Sequence, residues 1–379
     1  MILPSQRHLF DIPRDVCYLN AAYMTPLTKA QQEIGAVSAA QNGRPWEVFP
    51  EDFNPTSDKI RNHAASMFNV RADDIAIIPS VSYGIATAGK NLIIEAGSNV
   101  LVIEDQFPSN IYEWQENAKA AGGAIVTVPT PEDHDWTSAI LEALDHPGAA
   151  YSIVALPQVH WSSGALIDLV KVSKACRKLG AALVLDLTQS AGAMPTDIAE
   201  IDPDFAVFGT YKWLMGPYSL CFMYVAPRQQ EGQPLEQNWL ARKDSEDFAG
   251  LVNYQDSYQP GARRFDMGER SNFILSPICV EGLRQLQEWG VGNIADTLQA
   301  INTRLCETAA ECGFNAVPDQ FRSPHMLGLY VGSKGRDLLA SLKDAGVFAS
   351  LRGEMLRVAP HLWIDDHDMD VFEVAMRSV

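Results

Sequence analysis

Two charged side chains that follow short apolar runs could together carry out imine chemistry. Asp186 ends the run Ala181–Leu185, and Lys212 follows Phe205–Phe208 after Gly209. Apolar runs of this length, bounded by Gly and Pro, are typical of buried strands. Open α/β sheets hold their ligands at the carboxyl ends of such strands. Apolar neighbours lower the pKa of an amine, and a neutral amine is the form that makes a Schiff base.

Each of these residues alone also has a plainer interpretation. Lys212 could be a solvated surface charge, and Asp186 could cap the following helix. Together they match the needs of a pyridine cofactor that is bound as an imine. The carboxylate keeps the ring nitrogen protonated, so that the ring accepts electrons, and the lysine holds the aldehyde carbon. The pair therefore indicates such a cofactor.

Two further stretches could complete a site of this kind. Ser80-Val81-Ser82 lies between a predicted strand and a predicted helix, so its backbone N–H groups and hydroxyls could bind a phosphate. An ordinary helix cap explains the same stretch equally well. Phe107 follows the predicted strand Asn99–Ile103 and could cover one face of a ring, although a lone phenylalanine there is more often core.

These residues need a sheet that brings their strands to one edge. Apolar runs and helical spacing alternate over more than 150 residues, which predicts a mostly parallel sheet with helices on both faces. Residues 228–264 are polar and aromatic without periodicity, which is typical of a functional or partner-contacting loop. Helical spacing returns over Pro277–Leu305, and a smaller alternation fills 306–379. The predicted strands are Asp74–Pro79, Asn99–Ile103, Ala124–Val128, Tyr151–Leu156, Ala181–Leu185, Phe205–Phe208 and Ser219–Val225; the helices between them are Asn110–Ala121, Trp136–Leu144 and Leu166–Leu179.

Composition narrows the class of protein. The chain has 379 residues, of which 47% are hydrophobic and 20% charged, and this balance is typical of a globular protein with a large core. The net charge of −18 argues against nucleic acid and membrane surfaces as partners. The first residues lack the apolar segment of a signal peptide, so we expect a cytoplasmic protein. The scattered cysteines and histidines show no ligand spacing, and we expect no metal site.

The segment Asp186–Gly192 (DLTQSAG), followed by Thr210–Pro217 (TYKWLMGP), resembles the signature of the class V aminotransferases. These are pyridoxal-phosphate enzymes of fold type I and include cysteine desulfurases, kynureninases and isopenicillin-epimerase-like proteins. The likeness extends from Asn20 to His361. It implies an α/β fold, with a large domain whose mostly parallel sheet is sandwiched by helices and a smaller α+β C-terminal domain. The predicted parts are an N-terminal segment at 1–25, a large cofactor domain at 26–265 and a small domain at 266–379. The family also implies a homodimer.

The resemblance assigns a set of residues to pyridoxal 5′-phosphate. Lys212 would form the Schiff base and move the proton at the substrate α carbon. Asp186 would pair with the ring nitrogen, and Gln189 would bind the 3′-oxygen. The remaining cofactor contacts would come from the phosphate ligands and the ring cover, which are Val81, Ser82, Tyr211 and Phe107.

The same resemblance assigns residues to the substrate. Arg357, in the segment Leu-Arg-Val-Ala-Pro-His, matches the arginine that grips the substrate carboxylate, a role that suits a bidentate fork. His160 and Trp161 fall where relatives carry pocket residues, with ordinary packing as an equal alternative. Weaker candidates are Asn20, Tyr23 and Trp239. In the stretch where many relatives reach a phosphate across the dimer, Arg270 or Ser271 could substitute for the usual Gly-Thr.

The sequence indicates the enzyme family more clearly than the reaction that the enzyme catalyses. A cysteine desulfurase needs a nucleophilic cysteine on the loop before the carboxylate arginine, and residues 346–353 contain none. Gln189 stands where kynureninases tend to have histidine. We therefore predict an enzyme that acts on a small amino acid through a Lys212 aldimine, in the first place as an aminotransferase. The alternatives are an epimerase or a lyase or hydrolase of kynureninase type on the same aldimine, and more remotely a non-catalytic protein of this fold. A nucleotide-binding module ranks far below, because its glycine-rich motifs are missing.

Overall fold

A seven-stranded sheet organises the larger part of the protein, which is described by a computed structural model over residues 1–148 and 150–378. Eleven α-helices and thirteen strands lie in these ranges. The strands are β1 (Cys17–Tyr18), β2 (Ile75–Ile78), β3 (Asn99–Ile103), β4 (Ile125–Val128), β5 (Tyr151–Pro157), β6 (Ala182–Asp186), β7 (Phe205–Gly209), β8 (Cys221–Val225), β9 (Asn315–Ala316), β10 (Leu327–Tyr330), β11 (Val347–Phe348), β12 (Ser350–Arg352) and β13 (Met355–Val358). The helices are α1 (Lys29–Asn42), α2 (Pro55–Phe68), α3 (Val81–Asn91), α4 (Tyr112–Ala120), α5 (Trp136–Asp145), α6 (Leu169–Leu179), α7 (Ile198–Ile201), α8 (Leu275–Trp289), α9 (Val291–Glu311), α10 (Gly335–Asp344) and α11 (Asp366–Arg377).

The large sheet has the strand order β2-β8-β7-β6-β5-β3-β4. Strand β8 runs antiparallel to both of its neighbours, and the other strands of this sheet run parallel to one another. Their carboxyl ends therefore meet at one edge. The prediction of an α/β fold of type I with a mostly parallel sheet is confirmed.

The apolar strands are explained by burial on both faces of the sheet. In β6, Leu183 and Leu185 belong to one hydrophobic cluster, whereas Val184 between them belongs to a second cluster on the opposite face. In β7, Phe208 and Val207 divide in the same way. Successive side chains of a strand point to opposite faces, so a strand covered on both sides has to be apolar without interruption.

A second, antiparallel sheet lies in the C-terminal part, with the order β12-β13-β10-β9. The N-terminal strand β1 pairs in parallel with β11, with Cys17 opposite Val347. Helix α8 packs against α1 and α2 of the large part. The bounds of the three predicted parts stay a prediction, and they include Ala149 and Val379, which lie outside the described residues.

The predicted elements differ from the structure mainly at their ends. Helical spacing over residues 28–70 forms two helices, the first of which begins at a capping box in which the Thr28 hydroxyl accepts from the Gln31 backbone N–H. The extended stretch Val347–Arg352 divides at Ala349, because β11 pairs with β1 whereas β12 pairs with β13. In the described part of the chain, no helix is both long and apolar enough to cross a bilayer.

Candidate active site

Asp186 and Lys212 lie together at the carboxyl edge of the large sheet. Asp186 is the last residue of β6 and is registered with Val207 in the parallel neighbour β7, and Lys212 follows the end of β7. A cavity of about 230 Å³ opens at this edge. All seven residues assigned to the cofactor line it, and so does one substrate candidate: Val81, Ser82, Phe107, Asp186, Gln189, Tyr211, Lys212 and Trp161.

Close backbone packing fixes the two loops that carry these residues. Gly192 has φ +91°, and a Cβ there would lie 2.5 Å from the carbonyl oxygen of Trp213. A side chain at this position would push the loop after β6 away from the lysine loop, so glycine is needed. The backbone N–H of Gly209 donates to the Thr188 hydroxyl at 3.1 Å, and this hydrogen bond also joins the two loops. The turn beyond Lys212 is closed by Thr210, whose hydroxyl donates to the Pro217 carbonyl at 3.0 Å.

Lys212 has the environment of a reactive amine. Its side chain is almost fully buried, and burial lowers its pKa from 10.5 to about 8. The nearby carboxylate of Asp186 opposes this shift, whereas the guanidinium of Arg357 adds to it. The Nζ atom lies 5.5 Å from the ring centre of Phe107 and 5.4 Å from that of Tyr211. A substantial fraction of this amine is therefore neutral near pH 8.

Asp186 is a buried carboxylate that is held in place by its own loop. Burial raises its pKa above the ordinary value, while hydrogen bonding from Thr188 and the charge of Lys212 act in the opposite direction. Its Oδ1 accepts a hydrogen bond from the backbone N–H of Thr188 at 3.0 Å. A buried charge is costly without a partner, and a protonated ring nitrogen would provide one.

The start of helix α3 is suited to a phosphate. Ser80 is the cap residue, and its hydroxyl accepts from the Tyr83 backbone N–H at 3.2 Å. Ser82 follows in the first turn, with its hydroxyl 3.1 Å from that of Ser80. The first N–H groups of a helix have no partner within the helix and attract anions. Ser80 therefore caps the helix, and Val81 and Ser82 line the cavity, where their binding of a phosphate stays a prediction.

Gln189 is held by neighbours on both sides of its amide. Its Oε1 accepts from the indole N–H of Trp213 at 2.9 Å, and its Nε2 donates to the carbonyl of Ala22 at 3.1 Å. A carboxamide nitrogen carries two hydrogens. One of them therefore stays free of the Ala22 contact, and it could be donated to a ring oxygen in the cavity.

Arg357 is a buried cation without an anionic partner in the part of the chain that the structure describes. It is 1% exposed, and its Nη1 donates to the carbonyl of Trp161 at 2.9 Å. Its Nε and Nη2 have no hydrogen-bond partner among the described residues. Burial, together with the charge of Arg352, lowers its pKa to about 9. Unsatisfied buried donors are costly, and a substrate carboxylate would satisfy both of them.

Two predicted substrate residues lie outside the cavity lining. His160 stacks on Trp136, with Nδ1 at 3.0 Å from the Ser163 hydroxyl and Nε2 at 3.2 Å from the Glu104 carbonyl. His160 therefore packs in the interior, which is the alternative to a place in the substrate pocket. Asn20 forms a backbone bridge to Ala359 and does not line the cavity either.

The weaker candidates are also dispersed. Tyr23 and Arg357 line an adjoining cavity of about 310 Å³, which shares Lys212 and Trp161 with the first cavity and forms the outer part of the site. Trp239 instead packs against Phe53, with ring centres 5.9 Å apart. Arg270 is buried, with Nε 2.8 Å from Asp266, and Ser271 donates to the Phe53 carbonyl. Arg270 nevertheless leaves its Nη1 without a hydrogen-bond partner among the described residues.

Sequence reasoning missed four residues of this site. The backbone N–H of Thr188 donates to the Asp186 carboxylate. Its position two residues after Asp186 in the same motif could have pointed to this contact. Tyr218 packs edge-on against Tyr211, and Arg352 lines the outer cavity with Arg357. Cys221 also lines the cavity, but burial raises the pKa of its thiol to about 12. Its thiolate is therefore scarce at neutral pH.

One cavity thus brings together a lysine with a lowered pKa, a buried carboxylate and a helix N-terminus. This combination is typical of a pyridoxal-phosphate enzyme. The Aminotransferase class-V family model matches residues 24–338, and the chain belongs to this family. Among the relatives, an uncharacterized aminotransferase, YcbU of Bacillus subtilis (strain 168), is 25% identical over 95% of this chain and 92% of its own length. The kynureninase of Deinococcus radiodurans is 26% identical over 73% of this chain and 67% of its own length.

Solved structures share the fold. A cysteine desulfurase from Thermococcus onnurineus NA1 has a TM-score of 0.85 at 16% identity, covering 100% of this chain and 99% of its own. A C-DES mutant with glycine covalently linked to its cofactor has a TM-score of 0.83 at 18% identity, covering 98% of both chains. The predicted family, fold and cofactor, pyridoxal 5′-phosphate, are confirmed.

The lowered pKa of Lys212 leads to a prediction about pH. Only the neutral amine attacks an aldehyde, so the rate at which the apoprotein takes up pyridoxal phosphate should rise with pH and level off above about 8. Stopped-flow absorbance over a series of buffers measures this midpoint. Free Nα-acetyl-lysine serves as the control, with its midpoint near 10.5. A midpoint for the protein that coincides with the control would contradict the electrostatic description of the site.

Proposed function

We propose that this protein transfers the amino group of a small α-amino acid with pyridoxal phosphate. One observation carries the proposal: the unpaired donors of Arg357 and the buried amine of Lys212 line the same outer cavity. One group can hold a carboxylate while the other acts on the neighbouring carbon. These are the two parts of an α-amino acid that every such substrate shares.

The residues divide the work between binding and proton transfer. Arg357 binds and orients the α-carboxylate through two parallel N–H donors. Lys212, with a pKa of about 8, can take a proton from the α carbon and return one. When bound, pyridoxal phosphate supplies the electron sink for the bond that is broken at that carbon. Phe107 and Trp161 pack edge to face at 5.4 Å beside the cavity and limit the access of water.

Epimerisation or a hydrolytic reaction of kynureninase type is the second candidate. The kynureninase relatives support it, because these reactions share the same first binding steps. Persulfide chemistry is disfavoured, since residues 346–353 lack cysteine and Cys221 has a pKa raised to about 12. The products separate the two candidates: a 2-oxo acid for transfer, the opposite enantiomer for epimerisation, and a shortened amino acid for hydrolysis.

A panel of amino acids tests the proposal. The purified protein should carry the absorbance band of lysine-bound pyridoxal phosphate, and a substrate should shift that band and yield a 2-oxo acid. Loaded protein without substrate and free cofactor with each amino acid are the controls. A loaded protein whose band responds to none of the amino acids would count against this function.

We also propose a cytoplasmic homodimer. Exposed aromatic side chains within residues 228–264 support a contact surface there, since Trp239 and Tyr254 are 37% and 95% exposed. Large exposed apolar groups commonly mark interfaces. Light scattering of the purified protein measures its mass, and a monomer would count against the dimer.

A further inference from the structure

The outer part of the active-site cavity has a strongly positive lining. Two arginine side chains, Arg352 and Arg357, face it together with the amine of Lys212. Among the described residues that line this part, none carries a carboxylate. The whole chain has a net charge of −18, so the local charge of this cavity is opposite in sign to that of the protein. A cleft of one sign gathers ligands of the opposite sign.

The strand register places the two arginines on one face of the small sheet. Arg357 in β13 lies opposite Ser350 in β12, and Arg352 is two residues further along β12. Directly opposed residues share a face, and so do residues two apart in a strand. Arg352 and Arg357 are therefore diagonal neighbours, whose backbones lie roughly 7–8 Å apart, and both guanidinium groups reach the same Trp161 ring. This spacing suits two anionic groups of one small molecule.

Both guanidinium groups have N–H donors that are available to a ligand. Arg357 leaves Nε and Nη2 without a partner in the part of the chain that the structure describes. Arg352 donates from Nη1 to the carbonyl of its neighbour Leu351 at 2.7 Å. The Trp161 ring centre lies 5.9 Å from Cζ of Arg357 and 5.7 Å from Cζ of Arg352, which is within cation–π range. Two cations around one indole, with no acid among the lining residues, are arranged for a doubly anionic ligand.

We propose that the preferred substrate is an acidic α-amino acid of the aspartate and glutamate type. Arg357 holds its α-carboxylate, and Arg352 binds its side-chain carboxylate and thereby sets the specificity. The identity of the ligand as an amino acid rests on the proposed function. The preference for a second negative charge rests on Arg352 alone.

Isosteric pairs of amino acids test this preference. In the loaded protein, the absorbance band is titrated with glutamate and glutamine, and with aspartate and asparagine. The acidic member of at least one pair should bind about 10- to 100-fold more tightly, because a charged hydrogen-bonded pair is gained. Arg352→Gln should abolish this ratio and leave the affinity for the neutral members within about twofold. Arg336→Gln, which removes an exposed arginine of α10, is the matched control and should keep the ratio.

A second measurement separates this inference from the proposed function. Calorimetry of the loaded protein compares succinate with its monoamide, which need no turnover, and succinate should bind about tenfold or more tightly. If glutamate and aspartate bind no better than their amides, the substrate inference is overturned while amino-group transfer can stand. If no amino acid changes the band but succinate is preferred, transfer fails and the anion preference stands. Should Arg352→Gln not fold, Arg352→Lys is used, which should keep part of the ratio.

Discussion

Replacing Lys212 by alanine is expected to abolish the covalent retention of pyridoxal phosphate and to lower turnover by at least about 1,000-fold. The amine is the only lysine nitrogen among the described residues that line the cavity, and its pKa of about 8 suits proton transfer near neutral pH. Loss of one positioned acid–base group alone costs roughly 100- to 10,000-fold. Borohydride treatment followed by intact-mass measurement shows whether the cofactor becomes attached.

Lys90→Ala provides the matched control for this change. Lys90 lies in the last turn of α3, where its Nζ donates to the carbonyl of Pro234 at 2.8 Å, away from the cavity. The substitution removes the same charge but should leave cofactor attachment and turnover within about twofold of the native protein. Persistent attachment of the cofactor in Lys212→Ala would show that another amine holds it.

The meeting of the residues assigned to the cofactor at one cavity could be predicted, because their positions depend on short stretches of chain. A strand that ends in Asp186 and a neighbouring strand that leads into Lys212 bring both groups to one edge, once the sheet is known to be parallel there. Ser82 lies in the first turn of α3, which follows β2, and Phe107 lies in the loop that follows β3. In each case a strand end specifies the place of the side chain.

The substrate side was harder to predict because its residues depend on side-chain direction in loops. His160 and Trp161 are adjacent in sequence, yet His160 stacks on Trp136 and Trp161 turns to the cavity, where its indole N–H donates to the carbonyl of Asp105 at 2.5 Å. No periodic pattern distinguishes the two positions. The sequence alone therefore does not tell which of the two side chains lines the cavity.

Arg352 was missed for a different physical reason. Its approach to Arg357 depends on the pairing of β12 with β13 and on the separation of β11 from β12 at Ala349, neither of which the alternation over residues 306–379 specifies. A one-residue change of register would move Arg352 to the other face of the sheet. The residue inferred to determine specificity is thus the one whose position required the structure.

Replacing Asp186 by asparagine should separate binding of the cofactor from its activation. The amide keeps the shape of the side chain but removes the charge that stabilises a protonated ring nitrogen, so kcat should fall by roughly 100-fold or more, in line with the loss of a buried charged hydrogen bond. Asp186 also raises the pKa of Lys212 by its charge. The midpoint for cofactor uptake by the apoprotein should therefore move below about 8 in this variant.

Asp204→Asn is the matched control for Asp186→Asn, because it also neutralises a largely buried aspartate next to the same pair of strands. Asp204 accepts hydrogen bonds from the Leu183 backbone N–H and from Arg228 at 2.9 and 2.8 Å, at the amino end of β7. Its loss should lower the free energy of unfolding by about 1–3 kcal/mol, while kcat of the folded protein and the uptake midpoint stay unchanged. Stability of each variant is measured by denaturant unfolding. An Asp186→Asn protein that loses stability but keeps kcat and the midpoint would assign this carboxylate a structural role.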